Sequence, residues 1–144
     1  MRNLQAQLLL AATLLMYSCF ADAQGLSKTD AANEMSAEYA ACYAFYSAGI
    51  TCFGSGGPLK GDERISFEAA RDTAAEREYI YGKLAGASHA ALVARGKIAL
   101  KSVMGDMNGN CVNVAVVLDK YAQSCKSLMQ DPNARALQLM TKGR

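Results

Sequence analysis

Proline, histidine and long apolar runs are scarce in this sequence, and each scarcity argues against one class of structure or site. Only two prolines occur in 144 residues, so the residue that most strongly interrupts helices is nearly absent. His89 is the only histidine, and no carboxylate stands at motif spacing from it, so the chain carries neither a zinc signature nor a catalytic triad. No stretch reaches the roughly 20 apolar residues that a membrane-spanning helix needs. The formal net charge is +2, which is too balanced to favour nucleic acid or an anionic membrane as a partner.

The N-terminus has the parts of an export signal. A basic residue precedes an apolar run from Leu8 to Tyr17, and residues 21–23 supply the small-x-small pattern that signal peptidase requires. We expect residues 1–23 to be a signal peptide and residues 24–144 to form a single helical domain in the periplasm or outside the cell. In an alternative, Cys19 is lipidated and anchors the protein to a membrane as a lipoprotein. Both routes leave four cysteines, an even number that is typical of disulfide-bonded exported proteins.

Helix-forming residues are plentiful, and apolar residues recur at spacings of three and four, which is typical of amphipathic helices. The pattern predicts four long helices and a short fifth. We expect helix 1 over Thr29 to Ala48, helix 2 over Glu63 to Leu84, helix 3 from the N-cap Ser88 to Asp106, helix 4 along Cys111 to Leu128, and a short helix from Pro132, capped by Asp131. Short turns between the long helices predict an all-α, four-helix up-down bundle with a short C-terminal helix.

The residue patterns of helices 2 and 3 predict which side of each helix faces solvent or the core. Charged residues of both signs between Glu63 and Glu78 are expected to form a solvated face of helix 2. On helix 3, one apolar stripe is expected to face the core, and it consists of Val93, Gly96, Leu100, Val103 and Met107.

Four cysteines, Cys42, Cys52, Cys111 and Cys125, allow three pairings. A disulfide needs Cα atoms within about 7 Å, whereas pairing along one helix would span about 15 or 21 Å. Because helices 1 and 4 of an up-down bundle are antiparallel neighbours, we predict two disulfides, Cys42 with Cys125 and Cys52 with Cys111. We expect helix 1 to end at Gly49, so that extended residues carry Cys52 to Cys111. If helices 2 and 3 were one continuous rod, helices 1 and 4 would be parallel and Cys42 would pair with Cys111.

Reactive side chains are few. Disulfide-exchange enzymes usually present a C-x-x-C pair at the start of a helix, whereas the spacings here are C-x9-C and C-x13-C, which favours structural disulfides. His89, Met104 and Met107 are candidate ligands for copper, which imidazole and thioether donors suit, although methionine at helical spacing more often belongs to a core. We therefore expect no catalytic activity and no cofactor. The alternative function is a periplasmic copper-binding or redox-handling protein.

The aromatic residues of helix 1 are candidate interface residues. Tyr39, Tyr43, Phe45 and Tyr46 cover more of the helix circumference than one core stripe buries, and tyrosine is enriched at protein interfaces. In the alternative, helices on both flanks cover these rings. The interface interpretation predicts a binding or inhibitory module whose partner is another envelope or secreted protein.

The stretch from Asn108 to Arg135, NGNCVNVAVVLDKYAQSCKSLMQDPNAR, resembles the C-terminal part of a group of uncharacterised small exported helical proteins of bacteria. The resemblance covers about a fifth of the chain. It implies an exported helical bundle, and it implies no catalytic residue.

Overall fold

A computed structural model describes residues 25–54 and 61–142 of the chain. The signal peptide predicted over residues 1–23, the lipidation candidate Cys19 and most of the glycine-rich connection between helices 1 and 2 lie outside the described residues.

The described residues form five α-helices and one 3₁₀ turn, and none of them belongs to a strand. The helices are α1 (Lys28–Gly54), α2 (Asp62–Leu84), α3 (His89–Asp106), α4 (Val114–Gln130) and α5 (Pro132–Thr141), and the 3₁₀ turn covers Cys111–Asn113. The predicted class is confirmed: four long helices pack as an all-α bundle, and a short helix follows them. Within residues 25–54 and 61–142, no helix is both long enough and apolar enough to cross a membrane.

Local side-chain chemistry sets several helix ends. The Ser88 hydroxyl accepts a hydrogen bond from the Ala91 amide at 3.2 Å, so Ser88 caps α3 as predicted. Asp131 caps α5 in the same way, because its Oδ1 accepts from the Ala134 amide at 2.9 Å. These side chains satisfy amide groups that have no partner within the first helical turn.

The central element is α1, which packs against each of the other four helices. Its alanines Ala40, Ala44 and Ala48 are buried, and their small side chains let neighbouring helices approach from several sides. At Gly82 of α2 there is no room for a side chain, because an added Cβ would lie 2.3 Å from the Leu92 Cδ2 atom of α3. The helices therefore share one hydrophobic core that is built around α1.

Both predicted disulfides are confirmed. The Cα atoms are 5.4 Å apart in Cys42–Cys125 and 5.2 Å apart in Cys52–Cys111. Cys42 pairs with the more distant Cys125, and Cys52 pairs with the nearer Cys111. Because the order of the cysteines is reversed between the two helices, α1 and α4 run antiparallel. It excludes the parallel arrangement of the alternative, in which helices 2 and 3 form one rod.

The route to the second disulfide differs from our prediction. The expected end of helix 1 at Gly49 is wrong, because α1 continues to Gly54 and Cys52 lies within it. Gly49 instead permits close packing, since an added Cβ would be 2.7 Å from the Phe67 ring of α2. The departure from regular α-helix occurs on the other side of the disulfide, where Cys111 lies in the 3₁₀ turn before α4.

Only part of the predicted apolar stripe of α3 reaches the core. Val103 and Met107 at its C-terminal end are buried as expected, but Val93 and Leu100 are 44% and 38% exposed. Leu92 is the buried residue in the N-terminal half. The physical reason is that α2 and α3 both pack on α1 and contact each other only slightly, so the side of α3 that faces α2 remains open.

Candidate functional site

The structure places three of the four aromatic interface candidates in the core. Tyr39, Phe45 and Tyr46 are buried, and Tyr43 alone is half-buried. The Tyr39 ring stacks on the Tyr81 ring of α2 at a centroid distance of 5.6 Å, and burial raises the pKa of both Tyr39 and Tyr46. The flanking helices therefore cover most of this face, and only Tyr43 remains available to a partner.

The copper-ligand candidates do not come together. His89 and Met104 lie fifteen residues apart in α3, which places them about 22 Å apart along the helix axis. Met107 is fully buried in the core. One ion therefore cannot bind all three side chains. In the part of the chain that the structure describes, no group of three or more histidine, cysteine, aspartate or glutamate side chains is arranged to hold a metal ion.

An open groove between α2 and α3 is the strongest candidate for a functional site, and we call it the α2–α3 groove. Its volume is about 330 Å³. Tyr43 of α1 and Leu92 of α3 contribute to its lining, together with the exposed apolar side chains Tyr79, Val93 and Leu100. Apolar side chains from three helices thus surround a space that no other described residue fills.

Glu78 also lines the α2–α3 groove. It is the only charged residue that is buried among those that the structure describes, with 9% of its surface exposed. Its Oε1 atom has no hydrogen-bond partner among residues 25–54 and 61–142. Burial raises the pKa of the Glu78 carboxyl, because the charged form loses water, and the positive charge of Arg95 opposes this shift.

The surroundings of Glu78 leave the carboxyl open. On α3, Gly96 has no side chain to cover it, and even an added Cβ at this position would lie 4.0 Å from Oε2. Arg95 is engaged elsewhere, since its Nη2 donates to the Asn33 Oδ1 atom of α1 at 2.6 Å. The groove therefore combines an apolar lining with one buried carboxyl group, whose Oε1 atom has no hydrogen-bond partner in the described part of the chain.

Our sequence prediction for Glu78 is wrong, because this residue does not belong to the solvated face of helix 2. A signal for its burial is nevertheless present in the sequence. Glu78 lies four residues after Ala74 and three before Tyr81, and both of these residues pack in the core. Its position on the apolar side of the helix was therefore readable from spacing.

A second and larger groove, of about 710 Å³, lies between α1, α4 and α5. The charged side chains along it already have partners. Arg135 binds the Glu38 carboxylate with its Nε atom at 2.9 Å from Oε2, and Lys120 binds Asp106 at 2.8 Å. Hydrogen bonds from Lys120 and from the Tyr121 hydroxyl lower the pKa of Asp106. Because these groups satisfy one another, this groove offers less to a ligand than the α2–α3 groove.

No family model, curated protein or solved structure matches this chain. The functional interpretation therefore depends on the geometry of the α2–α3 groove. Two helices that border an apolar groove form the kind of surface that accepts a helix or an extended segment of another protein.

Proposed function

We propose that the protein is a non-catalytic binding module, exported to the periplasm or beyond the cell, whose α2–α3 groove docks an apolar segment of another envelope or secreted protein. The observation that carries this proposal is the exposed half of the apolar stripe of α3. If the bound segment is part of the surface through which the partner acts, binding of the module inhibits the partner.

The spacing of the exposed residues supports a helical or helix-like contact. Val93, Gly96 and Leu100 follow one another at intervals of three and four, which is the pattern by which a helix packs against a neighbour. Val93 and Leu100 are nevertheless 44% and 38% exposed. Tyr79 on α2 is 52% exposed and lines the same groove. A partner segment between the two helices would bury all three side chains and remove their apolar surface from water.

The two disulfides support export. Disulfides persist in oxidising compartments and are rare in the cytosol, and all four cysteines of the described residues are paired. A rigid, cross-linked scaffold also suits binding, because a preformed surface loses little conformational freedom when a partner docks.

A matched set of variants tests the proposal. The purified protein is used to capture partners from an envelope extract with chemical cross-linking, and the captured proteins are identified by mass spectrometry. We expect V93D/L100D to lose the captured partner, because two carboxylates would have to be buried in the apolar contact. I98D is the control, since Ile98 is 70% exposed on α3 and does not line the groove.

Circular dichroism melts establish that each variant is folded before capture is compared. Equal capture by the wild type, V93D/L100D and I98D would refute a docking function of this groove.

A further inference from the structure

We infer that the segment bound in the α2–α3 groove carries a lysine or arginine among its apolar residues, and that this cationic group binds the carboxyl group of Glu78. The inference rests on the proposed function, because it specifies the chemistry of the partner that the groove accepts.

The first support is the unsatisfied carboxyl. Buried polar groups in proteins nearly always have hydrogen-bond partners, and a buried group that lacks one destabilises the fold. Glu78 is more than nine-tenths buried, and its Oε1 atom has no partner. An ammonium or guanidinium group in the groove would bind the carboxylate through Oε2, the oxygen nearest Gly96, and would supply the charge that offsets its burial.

The second support is the open space beside the carboxyl. Glu78 and Gly96 line the same groove from opposite helices. Because residue 96 is a glycine, it presents no side chain to Oε2, and a Cβ added there would lie 4.0 Å away, an ordinary van der Waals distance. On the same helix, Val93 precedes Gly96 by three residues and Leu100 follows it by four. Both line the groove, and they would contact the aliphatic stem of a long cationic side chain.

The third support is the arrangement of the charges and rings around the groove. Arg95 acts on Glu78 through its charge, but its guanidinium hydrogen-bonds to Asn33. Two basic residues, Lys97 and His89, line the groove and are exposed, so solvent and salt screen the repulsion between their charge and a second cation. The rings of Tyr43 and Tyr79 also line the groove, and aromatic faces attract cations.

A pair of probes that differ only in charge tests the inference without the partner. The purified protein, labelled with ¹⁵N, is titrated with hexylammonium chloride and separately with 1-hexanol, and amide chemical shifts are followed by NMR. We expect hexylammonium to shift amides of α2 near Glu78 and of α3 near Gly96, and to bind at least tenfold more tightly than 1-hexanol. In E78Q the two probes should bind equally. E76Q is the control, because Glu76 is an exposed glutamate on the same helix, and it should retain the preference.

The outcomes separate this inference from the proposed function. Equal binding of the two probes to the wild type, no shift with either probe, or an unchanged preference in E78Q would overturn the role of Glu78. In the capture assay, E78Q should reduce capture of the partner at least tenfold, and E76Q should leave it unchanged. Capture that survives in E78Q but is lost in V93D/L100D would reject the cationic segment and still support the groove as the docking surface.

Discussion

The two disulfides are nested, because Cys52 and Cys111 both lie between Cys42 and Cys125 in the sequence. Removal of the outer disulfide alone therefore tests how the two cross-links together constrain the unfolded chain. The sequence separations are 83 and 59 residues. If the outer disulfide acted alone, its loop of 83 residues would contribute about 4.6 kcal/mol in the chain-entropy model. With the inner disulfide intact, the outer one closes only the two segments between the cross-links. They total 24 residues, the difference between the separations 83 and 59, and the model then gives about 3.4 kcal/mol.

We therefore expect C42A/C125A to lose about 3.4 kcal/mol in free energy of unfolding from the cross-link, plus the contacts of two buried sulfur atoms. Urea denaturation followed by circular dichroism measures the loss. The matched control, in which all four cysteines are alanine, should lose more, because the inner loop is then also released. A loss below about 1 kcal/mol in a variant with a native spectrum would refute the entropic argument for this chain.

Three further predictions follow from packing, exposure and charge. G82A should lower the free energy of unfolding by about 1–3 kcal/mol, because the new Cβ would overlap a side chain of α3. At Gly105, by contrast, an added Cβ would have no atom within 4 Å. G105A should therefore raise the melting temperature, because alanine has a better helix propensity than glycine. Dithiothreitol should reduce the disulfide of exposed Cys111 before that of buried Cys125, and alkylation with mass spectrometry would show the order. Burial raises the pKa of the Glu78 carboxyl in the folded state above its ordinary value of 4.5. The free energy of unfolding of the wild type, relative to that of E78Q, should therefore fall as the pH rises above 4.5. A constant difference between the two proteins from pH 4 to pH 8 would contradict this.

Local chemistry and spacing were sufficient to predict the number of helices, two of their caps and both disulfides. Ser88 and Asp131 act on amides three residues away, so their role is readable from the sequence alone. The disulfide pairing also follows from few assumptions, because rigid helices with short turns leave one arrangement that satisfies the distance limit. The end of helix 1 was predicted wrongly, because a glycine that stops a helix and one that permits close packing look alike in sequence.

The open groove could not be predicted, because periodicity shows which residues share a helix face but not whether that face finds a neighbour. Val93 and Leu100 have the spacing of core residues and are exposed, since α2 and α3 make few contacts with each other. Glu78 has the charge of a surface residue and is buried, on the side of α2 where Ala74 and Tyr81 pack in the core. The exposure of Val93 and Leu100 depends on how three helices pack together, which the local pattern does not record, whereas the burial of Glu78 was readable from its spacing.

The central position of α1 has a consequence for the order in which the chain folds. The hydroxyl of Tyr39 donates to the Leu128 carbonyl 89 residues later, and Glu38 binds Arg135 across 97 residues. Contacts between such distant residues form slowly, because the intervening chain must first be closed into a loop. Helix α1 therefore completes its packing only when α4 and α5 are available. Its contacts with α2 and α3, which are nearer in the sequence, can form before that.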